Sequence, residues 1–168
     1  QTPPEALLPL YEYLDKDKII WEPACGYGNL VKALEKRGYD VIATDKYVPP
    51  LPLRDFLIYE PQLYDYIITN PPFSIKTDFV RRCYSLGKPF ALLMPYAGLE
   101  TPDRQKLYKK HGLELILFNQ RINFEVPNDT KDSGSKFPVA WFTWGLGLPK
   151  QLNFVDLREY KNQKLNLR

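Results

Sequence analysis

The stretch Tyr66-Ile67-Ile68-Thr69-Asn70-Pro71-Pro72-Phe73 joins a short apolar run to two consecutive prolines. The run is β-branched and too short for a helix, so it reads as a buried strand. Each proline fixes its own φ and pushes the residue before it out of the α region, which holds Asn70 and Pro71 extended. A stiff polar corner therefore stands at the carboxyl end of a strand, where open α/β sheets bind their ligands.

Such a corner suits transfer chemistry on an amine. The lone pair of a purine's exocyclic amine, or of an amide, is delocalised and weakly nucleophilic. The Asn70 side-chain oxygen and the Pro71 carbonyl can accept the two amine hydrogens and aim the lone pair at an electrophile, on a corner that Pro72 stiffens. Phe73 can stack on the ring and hold it in plane. The alternative is a proline-rich turn with an incidental asparagine. Its position after a strand, and a glycine motif upstream, weigh against that alternative.

The glycine motif is Glu22-Pro23-Ala24-Cys25-Gly26-Tyr27-Gly28-Asn29, directly after the apolar strand Ile19-Ile20-Trp21. Gly26 and Gly28 allow a tight turn and close approach of backbone to a ligand. A helix follows from Leu30 to about Arg37, and its N-terminus points free N–H groups into the same cleft. Neither the nicotinamide fingerprint, which needs a third glycine, nor a P-loop, which needs Gly-Lys-Ser/Thr, is present. The second strand, Tyr39 to Thr44, ends at Asp45 with Lys46 beside it. An acid about twenty residues past the first loop is where doubly wound folds bind ribose hydroxyls; the competing reading is an Asp that caps the next turn. Asp55-Phe56 lies near the end of an expected third strand. Asp55 there can accept from an adenine amine and Phe56 can pack on the ring, or Asp55 caps a turn before a buried Phe56.

The remaining periodicities predict a helix opened by Thr2 as N-cap with Pro3 and Pro4 in its first turn, and the fourth strand Tyr66 to Thr69. They further predict a helix from Ser74 to Leu86, a fifth strand Phe90 to Met94, a helix Thr101 to His111, and strands Leu113 to Phe118 and Phe137 to Trp144. This alternation predicts the α/β class, with a doubly wound, mostly parallel seven-stranded sheet. The polar segment 119–136, which holds Arg121, Lys131, Lys136 and Ser133-Gly134-Ser135, is long for a connection and reads as a candidate substrate loop.

At 168 residues, with 44% hydrophobic and 14% aromatic residues, the chain has room for one domain with a real core. No apolar run reaches membrane-spanning length and no signal-peptide pattern opens the chain, so no membrane association is expected. Cys25, Cys83 and the single His111 do not make a metal-type spacing, and no metal is expected. A reduced, cytoplasmic protein is the default. The whole net charge of +3 falls after residue 149, where Lys150, Arg158, Lys161, Lys164 and Arg168 oppose Asp156 and Glu159. Residues 150–168 read as a basic tail, either solvated or holding a polyanion, behind a domain spanning 1–149.

Together these motifs resemble those of the S-adenosylmethionine-dependent amino-methyltransferases, most closely the N6-adenine DNA methyltransferases. In that family an acidic residue, Pro and a Gly-x-Gly loop form the first cofactor motif, matched by Glu22, Pro23, Ala24, Cys25, Gly26 and Gly28. A Thr-Pro on the methionine side is matched by Thr2-Pro3, the ribose acid by Asp45 with Lys46, the adenine-side pair by Asp55-Phe56, and the catalytic tetrapeptide by Asn70 to Phe73. The resemblance covers nearly all of residues 1–95. It implies a Rossmann-like class I methyltransferase fold and S-adenosylmethionine as cofactor. It implies methyl transfer to adenine N6 in nucleic acid, DNA ahead of RNA, with Asn70, Pro71, Pro72 and Phe73 catalytic and Asn70 also facing the cofactor. Substrate contacts would come from Phe73, Ser74, Arg121, Lys131 and Lys136. Family members usually carry a separate target-recognition region, whereas only 119–136 and the tail are left over here. That points to a small form without a separate target-recognition region, whose target contacts would come from segment 119–136 and the tail, with a protein partner as a further candidate source. An RNA adenine-N6 or guanine-N2 methyltransferase, a protein glutamine methyltransferase, and a catalytically silent partner subunit share parts of the pattern. The intact cofactor loop, Asp45 and Asn70 argue against silence.

Overall fold

In the computed structural model the described residues are 2–49, 53–124 and 137–165, with side chains described through residue 162. The strands are β1 (Ile19–Glu22), β2 (Asp40–Ala43), β3 (Tyr66–Thr69), β4 (Phe90–Pro95), β5 (Glu114–Phe118), β6 (Val139–Trp144) and β7 (Leu152–Val155). They form one seven-stranded sheet in the order β2-β1-β3-β4-β6-β5-β7. Only β6 runs against its neighbours, β4 and β5.

Strand alternation divides the core into two layers. Ile20, Ile68, Leu93 and Trp141 face one side, where they meet Leu7 and Leu10 of a 3₁₀ helix (Pro4–Tyr13), Leu34 of α1 (Asn29–Glu35) and Leu157 of α4 (Leu157–Leu165). Trp21, Ile67, Leu92 and Phe142 face the other, under Phe79, Val80 and Cys83 of α2 (Lys76–Leu86) and Leu107 of α3 (Pro102–His111). The doubly wound architecture expected from the sequence is therefore present.

Two strands differ from expectation. Asp55-Phe56-Leu57 is a turn and not the end of a strand: the Asp55 carbonyl accepts from the Ile58 and Tyr59 N–H groups at 3.1 and 2.8 Å. The isolated bridge between Asp45 and Leu53 is the pairing found there among the described residues, so β2 is the sheet edge. The proline-rich connection before it supplies too few N–H donors for a ladder. The seventh strand is instead β7, inside the segment read as a basic tail, where it pairs in parallel with β5. Leu152 and Phe154 of β7 are exposed, so its apolar alternation was masked by the surrounding charge.

The helix expected from Thr2 is a 3₁₀ helix interrupted by Pro9, and its N-cap is Pro3, with no side-chain cap bond. Thr2 is therefore not the cap. In a 3₁₀ helix each N–H reaches the carbonyl three residues back, and Pro9 has no N–H to offer Ala6. The Trp141 indole N–H donates to that Ala6 carbonyl at 2.6 Å. A side chain of the central sheet thus completes the helix that the sequence interrupts.

At the carboxyl end of β1 the sheet buries a carboxyl group. Glu22 is fully buried; its Oε1 accepts from the Ala24 N–H at 3.0 Å and its Oε2 has no partner. Burial raises its pKa to about 8; the nearby Thr69 hydroxyl and then the Ala24 N–H offset part of the rise, and the Asp45 carboxylate adds to it. The folded chain therefore holds a proton that the unfolded chain releases above the ordinary glutamate range.

Two outcomes are expected. Trp141→Phe should destabilise the fold by about 2–4 kcal/mol in urea unfolding, from the unpaired Ala6 carbonyl and the lost ring volume; a change under about 0.5 kcal/mol would show the bond to be dispensable. Between the ordinary glutamate pKa and about pH 8, the stability of the ligand-free chain should fall as pH rises. In Glu22→Gln that pH dependence should flatten, which denaturant titrations across the window would check.

Candidate active site

The carboxyl ends of β1, β2 and β3 converge on the predicted corner. After β3, Asn70 and Pro71 leave the sheet, Pro72 takes φ −56° and ψ 126°, and Phe73–Ile75 form a 3₁₀ turn leading into α2. Pro71 is buried, and Phe73 is 42% exposed. The corner opens on a cleft of about 320 Å³ lined by Pro23, Ala24, Asp45, Lys46, Asp55, Phe56, Asn70, Pro71, Pro72 and Phe73. Tyr47, Ile75 and Phe79 line it as well. The sequence offered no polar motif at these three positions, and they belong to the site only through the fold.

A smaller cavity of about 150 Å³ lies beside the cleft, lined by Thr2, Glu22, Ala24, Cys25, Gly26, Leu30 and Asn70. Ala24 and Asn70 border both spaces. The Asn70 Nδ2 group donates to the Thr2 hydroxyl at 3.0 Å, and its Oδ1 is buried without a partner. Asn70 Oδ1, on a residue bordering both spaces, and Glu22 Oε2, on a residue lining the smaller one, are thus unpaired, as is the Oγ1 of Thr69 before Asn70. Burying an acceptor unpaired costs about 1–3 kcal/mol. Such atoms in a native structure mark a site that something else completes.

The glycine loop folds as its residues predict. Gly26 and Gly28 take φ of 52° and 83°, a region that side chains with a Cβ rarely adopt. Gly28 caps α1 and lines neither the cleft nor the smaller cavity; with Gly26 it borders a third space of about 340 Å³ beside Tyr27 and Val48. Cys25 is buried, and burial, followed by the Glu22 and Asp45 carboxyls, pushes its thiol up to about 12. It therefore forms a wall of the cavity and not a nucleophile.

Asp45 takes the capping role, the second of the two readings weighed for it. Its Oδ2 accepts from the Gly26 N–H at 2.9 Å, while its Oδ1 accepts from the Tyr47 and Val48 N–H groups at 2.7 and 3.0 Å. It caps the turn after β2 and ties that turn to the glycine loop. A carboxylate offers about four acceptor positions, so about one remains for a hydroxyl. Across the cleft mouth, Lys46 Nζ pairs with Asp55 Oδ2 at 2.7 Å, and the Leu57 N–H donates to Asp55 Oδ1 at 3.0 Å. The Lys46 ammonium, and next the Leu57 N–H, hold the Asp55 carboxyl below the usual range. Phe56 is 2% exposed and stacks on Phe79 at 4.4 Å.

Several expected contacts lie apart from this cleft. Pro3 caps the 3₁₀ helix and lines neither space. Ser74 and Arg121 are exposed and line neither. Lys131 and Lys136, with most of segment 119–136, lie outside the described residues. Among the described residues, no cluster of three His, Cys, Asp or Glu side chains is placed to hold a metal ion, and no helix is long and apolar enough to cross a membrane.

No protein-family model and no curated protein matches the sequence. Solved structures do match the fold. A TehB-like S-adenosylmethionine-dependent methyltransferase from Corynebacterium glutamicum superposes with a TM-score of 0.51 at 18% identity, over 84% of this chain and 88% of the other. The methyltransferase subunit of a type I restriction-modification system from Streptococcus thermophilus gives 0.55 at 12% identity, over 96% of this chain and 50% of the other. The 23S rRNA methyltransferase ErmE gives 0.56 at 17% identity, over 83% and 65%. This chain spans about half the length of the restriction-modification subunit. The architecture, a mostly parallel seven-stranded sheet with helices on both faces, is the Rossmann-like class I methyltransferase fold.

Proposed function

We propose that the chain is an S-adenosylmethionine-dependent methyltransferase acting on the exocyclic N6 amine of adenine in nucleic acid, DNA ahead of RNA. The observation that carries this reading is Asn70 Oδ1. It is buried and unpaired where the two cavities meet, on a rigid Pro-Pro corner beside the half-exposed ring of Phe73.

The residues fit the cofactor by their chemistry. The unpaired Glu22 oxygen in the smaller cavity suits an ammonium group, and the open acceptor position of Asp45 suits a ribose hydroxyl. Asp55 keeps acceptor capacity for an adenine amine beside its bonds to Lys46 and Leu57. When bound, S-adenosylmethionine would supply an electrophilic methyl carbon and take back the sulfur's electron pair as the methyl leaves. This chain's own residues do the rest. Asn70 Oδ1 and the Pro71 carbonyl accept the hydrogens of the target amine and turn its lone pair toward that carbon, and the surplus proton goes to solvent. Phe73 stacks on the target base once it has left the helix or arrived in a single strand.

An adenine in RNA presents the same amine, so the polymer is decided by experiment. Labelled methyl transfer onto duplex DNA, single-stranded DNA, RNA and protein, followed by nucleoside analysis, should give N6-methyladenine from a nucleic acid. Label recovered on protein alone would reject the reading. Phosphate contacts are expected from Arg121, segment 119–136 and the basic residues from Lys150 onward. These position a strand without specifying sequence, and a protein partner supplies target recognition.

In Asn70→Ala, cofactor affinity should stay within a few-fold while transfer collapses; transfer at the parent rate would end the assignment of the corner. Phe73→Ala should lose about 1–3 kcal/mol of base stacking, read as a weaker kcat/KM on single-stranded DNA. Asp45→Ala should weaken cofactor binding by about 1–3 kcal/mol in calorimetry. It should lower the melting temperature as well, because the Gly26, Tyr47 and Val48 N–H groups lose their acceptor.

A further inference from the structure

The geometry points to Thr2 as a positioning residue that sets the orientation of the Asn70 amide. The inference rests on the proposed amine methylation and adds a residue to it that touches no reacting atom.

An asparagine presents an acceptor on one side and two donors on the other. To receive the hydrogens of an amine it must offer the oxygen; turned over, it sets NH₂ against NH₂. The backbone of the Pro-Pro corner fixes where the Asn70 Cα stands, but it leaves the turn of the amide free. Among the described residues, Thr2 is the hydrogen-bond partner of that amide. Thr2 Oγ1 accepts from Asn70 Nδ2 at 3.0 Å, which places Oδ1 at the unpaired position bordering both cavities. Thr2 is 4% exposed and lies 68 residues away in sequence, so this is a partly buried tertiary constraint. It is not a cap, since the helix that follows begins at Pro4 with Pro3 as its N-cap and no side-chain cap bond. The Thr2 position is itself secured by the 3₁₀ helix, which Trp141 pins to the sheet through Ala6.

Thr2→Val keeps the shape and removes the acceptor. The Nδ2 group would then face a methyl group with a hydrogen unpaired, at a cost that favours turning it into the open cleft. Productive amides become the minority. Turnover on an adenine-containing single-stranded oligonucleotide should fall about tenfold, as kcat measured at saturating cofactor, since Thr2 also lines the smaller cavity. Thr2→Ser, which retains the hydroxyl, should restore it. Hydrogen exchange of the Asn70 side-chain amide, identified by the resonance lost in Asn70→Ala, supplies a readout independent of any substrate. It should be protected in the parent and in Thr2→Ser, and fast in Thr2→Val. Fast exchange in the parent would overturn the inference. So would a Thr2→Val variant with parental turnover, or one whose defect lies wholly in cofactor affinity or melting temperature. If the parent methylates none of the nucleic acids or proteins tried, the functional reading fails, and the exchange measurement alone decides whether Thr2 orients the amide.

Discussion

The bond from the Trp141 indole to the Ala6 carbonyl is the constraint on which the geometry of the site depends. Pro9 makes it necessary by removing the N–H that would have closed that turn of the 3₁₀ helix. A buried carbonyl left open destabilises the fold, and the central antiparallel strand supplies the missing donor. The amino-terminal segment is thereby fastened to the middle of the sheet and not only to its neighbour α1. Leu7 and Leu10, fully buried, make the contact apolar as well as polar. From that anchor the chain runs back to Thr2, which stands against Asn70 at the carboxyl ends of the strands. One proline in the first helix is thus linked, through one indole, to the corner made by two others.

The same end of the sheet concentrates its electrostatic cost. Glu22 ends β1 without access to water, and Asn70 follows β3 with an oxygen unpaired. A stable scaffold holds these groups because three N–H groups on Asp45 and one on Glu22 fix the surrounding loops. Satisfied carboxylate bonds therefore surround two unsatisfied oxygens. A core optimised for stability alone would place apolar atoms at both positions, so the arrangement trades local stability for a site prepared to accept donors.

Most of this was legible in the sequence because short-range rules controlled it. Paired prolines after an apolar run, positive-φ glycines after a strand, and an acid at the end of the next strand depend on local backbone chemistry. The structure brings Glu22, Gly26, Asp45, Asp55 and Asn70 around two adjoining spaces as expected. What failed was decided at long range. The role of Thr2 depends on a residue 68 positions away; locally, Thr before Pro looks like a helix cap. β7 was hidden because a strand with one solvated face in a basic segment has the composition of a tail. Tyr47, Ile75 and Phe79 join the cleft only once the strands are aligned, and no spacing rule marks them.

The missing third strand shows how the cleft is closed without a ladder. Among the described residues beyond β2, the chain returns through the bridge from Asp45 to Leu53 and the nearby Arg54 N–H bond to the Asp45 carbonyl at 2.8 Å. Side chains supply the rest. Phe56 stacks on Phe79 at 4.4 Å and packs against Trp21 at 5.1 Å, while Lys46 clasps Asp55 at 2.7 Å. A turn held this way is pinned at its aromatic root and by an ion pair at the cleft mouth, where Lys46 is half-exposed. Exposed ion pairs contribute little to stability, so the aromatic root carries the fold of this wall and the ion pair leaves its polar edge adjustable.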